Sequence, residues 1–248
     1  MLLNGKTAII TGASSGIGRS IAIMFAQNGA SVCLTGRRKA ELSEVANEIN
    51  ATGGTAIYYA GDICLEETHF NLINLVSKEF GRLDIAVNNA GMVGPMKPVA
   101  EFSLEEWVQV QTINSTAAFL GAKNQIPLMV KSGGGSIIFT SSFVGNSIIL
   151  PGMCSYGTAK SSLLALAKGI AVDYSDKNIR ANVILPGGVN TDMAGNQQQR
   201  EWAANLHAMK RLAEPEEIAS SALFLACSLS SFITGTSLYV DGGVSVCK

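Results

Sequence analysis

The chain has 248 residues, of which 47% are apolar and 15% are charged, and its formal net charge is −1 at pH 7. The sequence has no basic tract, no signal-peptide pattern and no apolar run near the roughly 20 residues of a membrane span. We therefore predict a cytoplasmic protein with neither a nucleic-acid nor a membrane partner. Five scattered cysteines indicate free thiols in a reducing compartment, and two histidines argue against a transition-metal site.

Short β-rich runs alternate with amphipathic segments along the whole chain. Strands are predicted at residues 7–11, 30–36, 55–61, 83–91, 135–142, 179–188 and 236–243. Helices are predicted at residues 18–29, 39–54, 66–81, 103–131, 155–175 and 214–228, with an irregular stretch before the last of them. Apolar strands that each precede a helix are typical of a parallel sheet covered on both faces. We therefore predict one doubly wound α/β domain over residues 1–248.

The predicted helix at 155–175 is apolar on more than one side. Leu163, Leu164 and Leu166 are too close together to share one narrow stripe. One face can pack on the sheet and another on a sister subunit, so we expect a homo-oligomer, with a tetramer favoured over a dimer. The alternative is a wider contact within one chain.

The segment TGASSGIG follows the first predicted strand and opens the first helix. Gly12, Gly16 and Gly18 allow a tight turn, close approach of the backbone to a pyrophosphate, and close packing of the helix on the sheet. Residues 12–16 also fit G-x-S-x-G, the nucleophile elbow of serine hydrolases. That alternative needs His207 as its base, and His207 lies in a polar stretch without an evident orienting group.

The segment YGTAK places Tyr156 one helical turn before Lys160, on the same helix face. A free phenol ionises near pH 10, so it is a poor proton donor or acceptor at neutral pH unless its surroundings change its pKa. The pair is either a tuned acid–base device or the solvent edge of an amphipathic helix, and the motif alone does not decide between them.

Six features occur in order over essentially the full length of the chain: TGASSGIG, NNAG at 88–91, SSFVG at 141–145, YGTAK at 156–160, PGGVNT at 186–191 and YVDGG at 239–243. In these features the chain resembles the short-chain dehydrogenase/reductase family, and its C-terminal half resembles the 3-oxoacyl-acyl-carrier-protein reductase-like branch. The resemblance implies a Rossmann domain whose seven-stranded parallel sheet has the order 3-2-1-4-5-6-7. It also implies hydride transfer between a nicotinamide cofactor and a small-molecule carbonyl or secondary alcohol.

The resemblance assigns catalytic roles to four residues. Ser142 would hold the substrate oxygen while Tyr156 transfers a proton to it, and Lys160, together with an oxidised nicotinamide, would lower the pKa of Tyr156 and bind the nicotinamide ribose. Asn114 would support a water-linked proton path to the lysine, although by itself it is a polar residue that bends or caps its helix. Fourteen positions separate Ser142 from Tyr156, slightly more than the family's commonest spacing, so we expect a bulge within residues 145–153.

The resemblance also places the cofactor. Ile17 N–H would meet the pyrophosphate, Asp62 would bind the adenine amine or else cap a helix, and Val189 would hold the carboxamide through its backbone. The full set of cofactor positions is Gly12, Ser14, Ser15, Gly16, Ile17, Gly18, Arg37, Arg38, Asp62, Ile63, Asn89, Ala90, Gly91, Tyr156, Lys160, Pro186, Gly187, Val189 and Thr191.

The segment LTGRRK favours NADP(H) over NAD(H). Enzymes that select NAD usually carry an acid where this chain has Gly36, Arg37 and Arg38, and an arginine fork suits a 2′-phosphate in charge and geometry. The alternative is that both arginines begin a solvated helix face. Ser15 argues against NADP(H), because it occupies a place where some NADP enzymes carry a second basic residue.

The substrate pocket is expected among residues 91–101, 143–155 and 190–210, with residues 190–210 as a lid that is mobile at 194–199. Its apolar side chains predict an apolar or mixed carbonyl compound; they are Phe143, Ile149, Met153, Met193 and Trp202.

Two further functions stay open. A 3-oxoacyl-acyl-carrier-protein reductase has an acidic partner and needs a basic rim, for which the candidates are Lys97, Lys131, Lys177 and Lys210. A non-catalytic cofactor sensor is disfavoured because the serine, tyrosine and lysine of the family's active site are all present.

Overall fold

The computed structural model describes residues 1–247, and seven parallel strands form its sheet. The strands are β1 (Thr7–Thr11), β2 (Ser31–Gly36), β3 (Thr55–Ala60), β4 (Ile85–Asn88), β5 (Gly135–Thr140), β6 (Ile179–Pro186) and β7 (Ser237–Val240). They lie in the order β3-β2-β1-β4-β5-β6-β7, and every neighbouring pair is parallel. The predicted strand order is confirmed.

Helices cover both faces of the sheet. They are α1 (Gly16–Gln27), α2 (Lys39–Ala51), α3 (Glu66–Phe80), α4 (Leu104–Gln111), α5 (Ala117–Lys131), α6 (Cys154–Tyr174), α7 (Gln197–Leu206) and α8 (Pro215–Ala226). One apolar core joins α1, α2 and α8 to the sheet, and a second joins α3, α5 and α6 to it. Within the described residues, no helix is both long and apolar enough to span a bilayer.

Strand β1 shows why these strands have almost continuously apolar sequences. Successive side chains of a strand point to opposite faces, and in β1 Ile9 belongs to one core while Ile10 belongs to the other. All five of its residues are buried. A strand covered on both faces has no solvent side on which polar residues would alternate.

The predicted continuous helix at 103–131 is wrong at its centre. A π-helical turn, Thr112–Thr116, separates α4 from α5. Asn114 lies in this turn, and its Nδ2 donates to Val110 O at 3.0 Å, so the side chain takes a carbonyl that a regular helix would give to a backbone N–H. Thr112–Thr116 contains neither proline nor glycine, so the periodicity of the segment gave no sign of the break.

The stretch predicted to be irregular before α8 contains α7. Asn196 and Gln199 form a reciprocal capping box at its start, with bonds of 2.9 and 3.0 Å. None of the residues in α7 is buried. A helix without an apolar stripe leaves no periodic signal in the sequence.

The apolar residues of α6 that suggested a subunit contact pack within the chain. Leu163 is buried in the α3–α5–α6 core, and Leu164 and Leu166 are packed against it. The wider contact within one chain therefore accounts for all three.

Four neighbouring strands end at the same edge of the sheet, and the motif residues follow directly. Gly12 comes after β1, Asn89 after β4, Ser142 shortly after β5, and Gly187 after β6. Carboxyl ends of parallel strands meet at one edge, which is where ligands bind in open α/β sheets. The fold therefore gathers segments that are far apart in sequence into one cleft.

Candidate active site

Lys160 is a buried cation at the centre of this edge. It is 4% exposed, and its Nζ donates to Thr140 O, the last residue of β5, at 2.9 Å. Its own carbonyl accepts from Ser141 Oγ at 2.7 Å. Burial lowers the pKa of Lys160 to about 8. The ammonium is therefore held in one place by strand β5 and loses its proton at a lower pH than a solvated lysine.

Gly91 lies between Lys160 and Asn114. A Cβ built on Gly91 would be 2.6 Å from Asn114 Oδ1 and 2.9 Å from Lys160 Nζ, so a side chain at this position would displace both groups. Asn114 is itself fixed by Met92, whose N–H donates to its Oδ1 and whose carbonyl accepts from its Nδ2. The amide oxygen and the ammonium are close enough for one water molecule to join them.

Tyr156 lies one turn before the lysine, and Lys160 Nζ stands over its ring at 5.8 Å from the centroid. Burial raises the pKa of Tyr156, and a hydrogen bond with Ser142 offsets this only in part. Desolvation of the phenol is thus the larger of the two effects in the protein chain by itself. The lowered pKa expected from Lys160 together with an oxidised nicotinamide stays a prediction.

Ser142 is oriented by the loop that follows it. Its Oγ accepts from Val144 N–H at 3.1 Å, so its hydroxyl proton is left for the hydrogen bond with the phenol of Tyr156. The loop closes through Gly145 N–H, which donates to Ile148 O at 2.7 Å. Gly145 has a φ of 94°, and a Cβ there would meet Gly157 O at 2.2 Å, so the loop lies directly against α6. Residues 145–153, where a bulge is expected, form neither helix nor strand.

The chain is similar to known proteins in both sequence and structure. A family model described as enoyl-(acyl carrier protein) reductase matches residues 12–245. A cyclohexanol dehydrogenase of Acinetobacter sp. (strain SE19) is 36% identical, over 96% of this chain and 94% of the relative. A short-chain type dehydrogenase/reductase from Mycobacterium marinum superposes with a TM-score of 0.94 at 34% identity, over 99% of this chain and 97% of that one. The chain belongs to the short-chain dehydrogenase/reductase family.

Among solved members of this family, a 7α-hydroxysteroid dehydrogenase in complex with NADH and 7-oxo glycochenodeoxycholic acid is also similar. It has 36% identity and a TM-score of 0.92, over 97% of this chain and 94% of that one. A glucose 1-dehydrogenase 2 of Bacillus subtilis (strain 168) is 34% identical, over 98% of this chain and 96% of the relative. The chain is accordingly an oxidoreductase of a family that uses a nicotinamide cofactor.

The glycine-rich turn of this dehydrogenase/reductase fits a dinucleotide pyrophosphate. Gly12 and Gly16 have φ values of 68° and 53°, and a Cβ on Gly18 would lie 2.3 Å from Gly12 O. The N-cap residue of α1, Ser15, makes no side-chain cap. The turn is therefore narrow, and the first N–H groups of α1, with Ile17 among them, remain donors for a ligand.

Thr11 joins the glycine turn to the NNAG motif and was absent from the predicted site. Its Oγ1 accepts from the N–H groups of Asn89 and Ala90 at 2.9 and 3.0 Å, while Asn89 Nδ2 donates to Thr11 O at 3.1 Å. These bonds fix the ends of β1 and β4 against each other. The available signal was a hydroxyl residue directly before Gly12.

Asp62 and Ile63 follow β3, the strand at one edge of the sheet. Asp62 is exposed, and its Oδ1 accepts from Cys64 N–H at 3.0 Å, a local turn that precedes α3 and does not cap it. Ile63 O lies 2.7 Å from His69 Nε2, which ties this turn to α3. The carboxylate keeps acceptor positions for a ligand.

Arg38 places a positive charge on the glycine turn. Its Nη2 lies 2.9 Å from Ser14 Oγ and 2.6 Å from Ser15 Oγ, and its Nε donates to Ser14 Oγ at 3.2 Å. Arg37 is exposed beside it, and Gly36 ends β2 without a side chain. Ser15 was an argument against an NADP site, because some NADP enzymes carry a basic residue at its position. Here Arg38 places its guanidinium beside Ser15 instead.

The segment after β6 lines the same cleft. Pro186 ends the strand, and Thr191 Cγ2 lies 3.1 Å from a Cβ built on Gly16, so the segment touches the glycine turn. Four of the five N–H groups of residues 187–191 have acceptors in the protein. The fifth, Val189 N–H, has none among residues 1–247. It is a donor in the position where the family resemblance puts the carboxamide.

His207 is committed elsewhere and does not serve Ser14. Its Nε2 accepts from Gly188 N–H at 2.9 Å, and its Nδ1 lies 2.7 Å from Ala203 O. Ser14 Oγ instead accepts from Arg38. These contacts argue against the serine hydrolase alternative.

The lysines expected to form a basic rim are already bound or lie elsewhere. Lys97 pairs with Glu106 at 2.7 Å, and Lys177 pairs with Asp176. Lys210 Nζ donates to Asn205 O. Lys131 and Lys177 lie where α5 ends and β6 is about to begin, at the edge opposite Tyr156. The described residues thus offer little free charge to an acidic carrier protein.

We expect Lys160→Met to remove a distinct pH dependence of stability. The folded pKa of about 8 lies below the 10.5 of a free lysine, so unfolding takes up a proton between these values and wild-type stability rises with pH there. Between pH 7.5 and 9.5 the wild type should gain about 2 kcal/mol relative to the variant, measured by urea unfolding. The exposed Lys168 on the same helix gives the control, Lys168→Met. Parallel profiles of the wild type and Lys160→Met would contradict the expectation.

Proposed function

We propose that this protein transfers a hydride between NADP(H) and a carbonyl compound or secondary alcohol, with Tyr156 as general acid and base. The observation that carries the proposal is the meeting of Ser142, Tyr156, Lys160 and Asn114 beside the glycine turn. All of residues 1–248 would act as one domain, with the segment 190–210 as its lid.

The nicotinamide, when bound, supplies or accepts the hydride. Ser142 receives a hydrogen bond from Val144 N–H and donates its own proton to the substrate oxygen. Tyr156 gives its phenolic proton to the same oxygen during reduction and takes it back during oxidation. A raised pKa keeps that phenol protonated at neutral pH, which suits the reductive direction. Lys160 restores the proton through water beside Asn114.

An apolar wall beside the phenol favours a ring-bearing ketone or alcohol. Phe143 and Met153 are buried there, and Val93, Leu206 and Tyr156 itself pack against them. Two similar proteins are named for ring substrates, a cyclohexanol dehydrogenase and the hydroxysteroid dehydrogenase. Four exposed apolar side chains of the predicted pocket segments support the same substrate class: Met96, Ile149, Met193 and Trp202.

Replacement of Tyr156 by Phe should abolish turnover and leave cofactor binding intact, because it removes only the transferable proton. We expect a loss of about 10²- to 10⁴-fold in kcat. The substrate would first be chosen from a panel of cyclic ketones and an acetoacetyl thioester, with NADPH absorbance as the readout. Tyr174→Phe, on the same helix, is the matched control. Turnover that survives in Tyr156→Phe would overturn the proton-transfer role.

The preference for NADP(H) is supported by Arg37 and Arg38 at the end of β2. Arg38 already spans the two serine hydroxyls of the glycine turn, and no carboxylate stands at the end of the strand to bind a ribose diol. A guanidinium there complements a 2′-phosphate in charge and in hydrogen-bond geometry.

Replacing Arg37 or Arg38 by Ala should weaken NADPH binding by about 1.5–3 kcal/mol, since each substitution removes a hydrogen bond to a charged group. NADH affinity should change much less. Fluorescence titration with both nucleotides measures this, and Lys39→Ala, which removes a neighbouring exposed cation, is the control. Equal losses for the two nucleotides, or an unchanged NADPH affinity in both variants, would refute the NADP(H) assignment.

The oligomer is supported by apolar side chains exposed on α4, α5 and α6. Leu104 is 78% exposed and Val172 83%, and Val108 and Phe119 are about half exposed. Helix faces of this kind are typical of subunit contacts. Sedimentation equilibrium should give a mass that is a multiple of 25.9 kDa, with a tetramer favoured. A monomer at micromolar concentration would exclude it.

A further inference from the structure

His207 directly follows α7 and is enclosed by three motif glycines. Only 2% of the residue is exposed. A Cβ on Gly187 would lie 2.5 Å from its Nε2, one on Gly188 would lie 3.0 Å from its Cε1, and one on Gly242 would lie 3.4 Å from its Cδ2. The glycines of PGGVNT and YVDGG therefore leave room for this imidazole.

The two ring nitrogens have different partners, and these define the tautomer. Ala203 O, 2.7 Å from Nδ1, can only accept, so Nδ1 carries the proton. Gly188 N–H, 2.9 Å from Nε2, can only donate, so Nε2 is unprotonated. His207 is accordingly neutral, with the proton on Nδ1. It joins the last turn of α7 to the segment that follows β6.

Gly188 is held on both sides. Its N–H is bound to His207, and its carbonyl accepts from Ala213 N–H at 2.9 Å. In a trans peptide the N–H of the next residue points opposite to that carbonyl. Val189 N–H is therefore aimed away from Ala213.

We propose that His207 is a positioning residue that acts through Gly188 to present Val189 N–H to the nicotinamide carboxamide. The inference rests on the proposed function for the identity of the ligand. Because the same imidazole bonds to Ala203 in α7, it also couples the lid to the nicotinamide segment. No chemical step is assigned to it.

Two variants separate the acceptor from the rest of the ring. In His207→Gln the amide oxygen reaches about as far as Nε2 and can still accept from Gly188 N–H. In His207→Asn the shorter amide reaches only the Nδ1 position, so it can keep the bond to Ala203 O but leaves Gly188 N–H without an acceptor. We expect Gln to keep the NADPH dissociation constant within about threefold and Asn to raise it by about tenfold or more. In His207→Asn kcat at saturating NADPH should change less than KM for NADPH, and in His207→Gln both should stay close to the wild type.

Two measurements on the free protein test the contact without any nucleotide. Long-range proton–nitrogen NMR should show His207 with its proton on Nδ1. Amide hydrogen exchange at Gly188 should be slow in the wild type and in His207→Gln, and faster in His207→Asn. Thermal unfolding shows whether each variant folds. If His207→Asn does not fold, the tautomer in the wild type and the exchange rates of the wild type and His207→Gln still test the contact.

The positioning role is overturned if Gln and Asn weaken NADPH binding equally, if neither changes it, if Gly188 exchanges like a free amide, or if the proton is on Nε2. Failure of the proposed function would look different. In that case the wild type would bind neither NADPH nor NADH, while the tautomer and the exchange rate would still report the contact between His207 and Gly188.

Discussion

The hydrogen bond from Lys160 to the carbonyl of Thr140 is the contact on which the rest of the cleft depends. An ammonium taken out of water needs acceptors, and this one lies between α6 and the end of β5 with little exposed surface. Its position requires glycine at residue 91 and places Asn114 beside it. The hydrogen bond also ties α6 to the end of β5, and the phenol of Tyr156 is carried on α6. A single buried charge thus determines which residues can surround it.

The sheet explains why so many polar contacts can converge on one edge. Both of its faces are closed by apolar cores, so the strands have no freedom to slide without breaking one core or the other. Residues just beyond the strands inherit that rigidity. Thr11 and Asn89, which are 78 positions apart, meet with two hydrogen bonds, and Ala90 N–H adds a third to Thr11, because β1 and β4 are neighbours. Helix α7 is held less firmly, since none of its residues is buried.

The sequence predicted the fold well because helices and strands leave local, periodic patterns, and the strand order followed from the family resemblance. Contacts between distant segments leave no such pattern. The acceptor role of Thr11 and the enclosure of His207 both depend on partners brought together by the fold. The burial that raises the pKa of Tyr156 in the protein chain by itself likewise depends on packing that a motif does not describe. The roles of Ser142, Tyr156, Lys160 and Asn114 remain predictions that the geometry supports.

The π turn between α4 and α5 has a consequence for how this chain tolerates changes in length. A π turn holds one residue more than the helical ladder around it requires. Deleting a residue from Thr112–Thr116 would leave an uninterrupted, more regular helix, and local stability there would not suffer. Because the extra residue is accommodated within the turn, the same deletion would leave α4 and α5 in their present orientations, but it would remove the turn that holds Asn114 beside Gly91. At this point in the chain, the more regular backbone would be the one that loses the bonds between Asn114 and Met92.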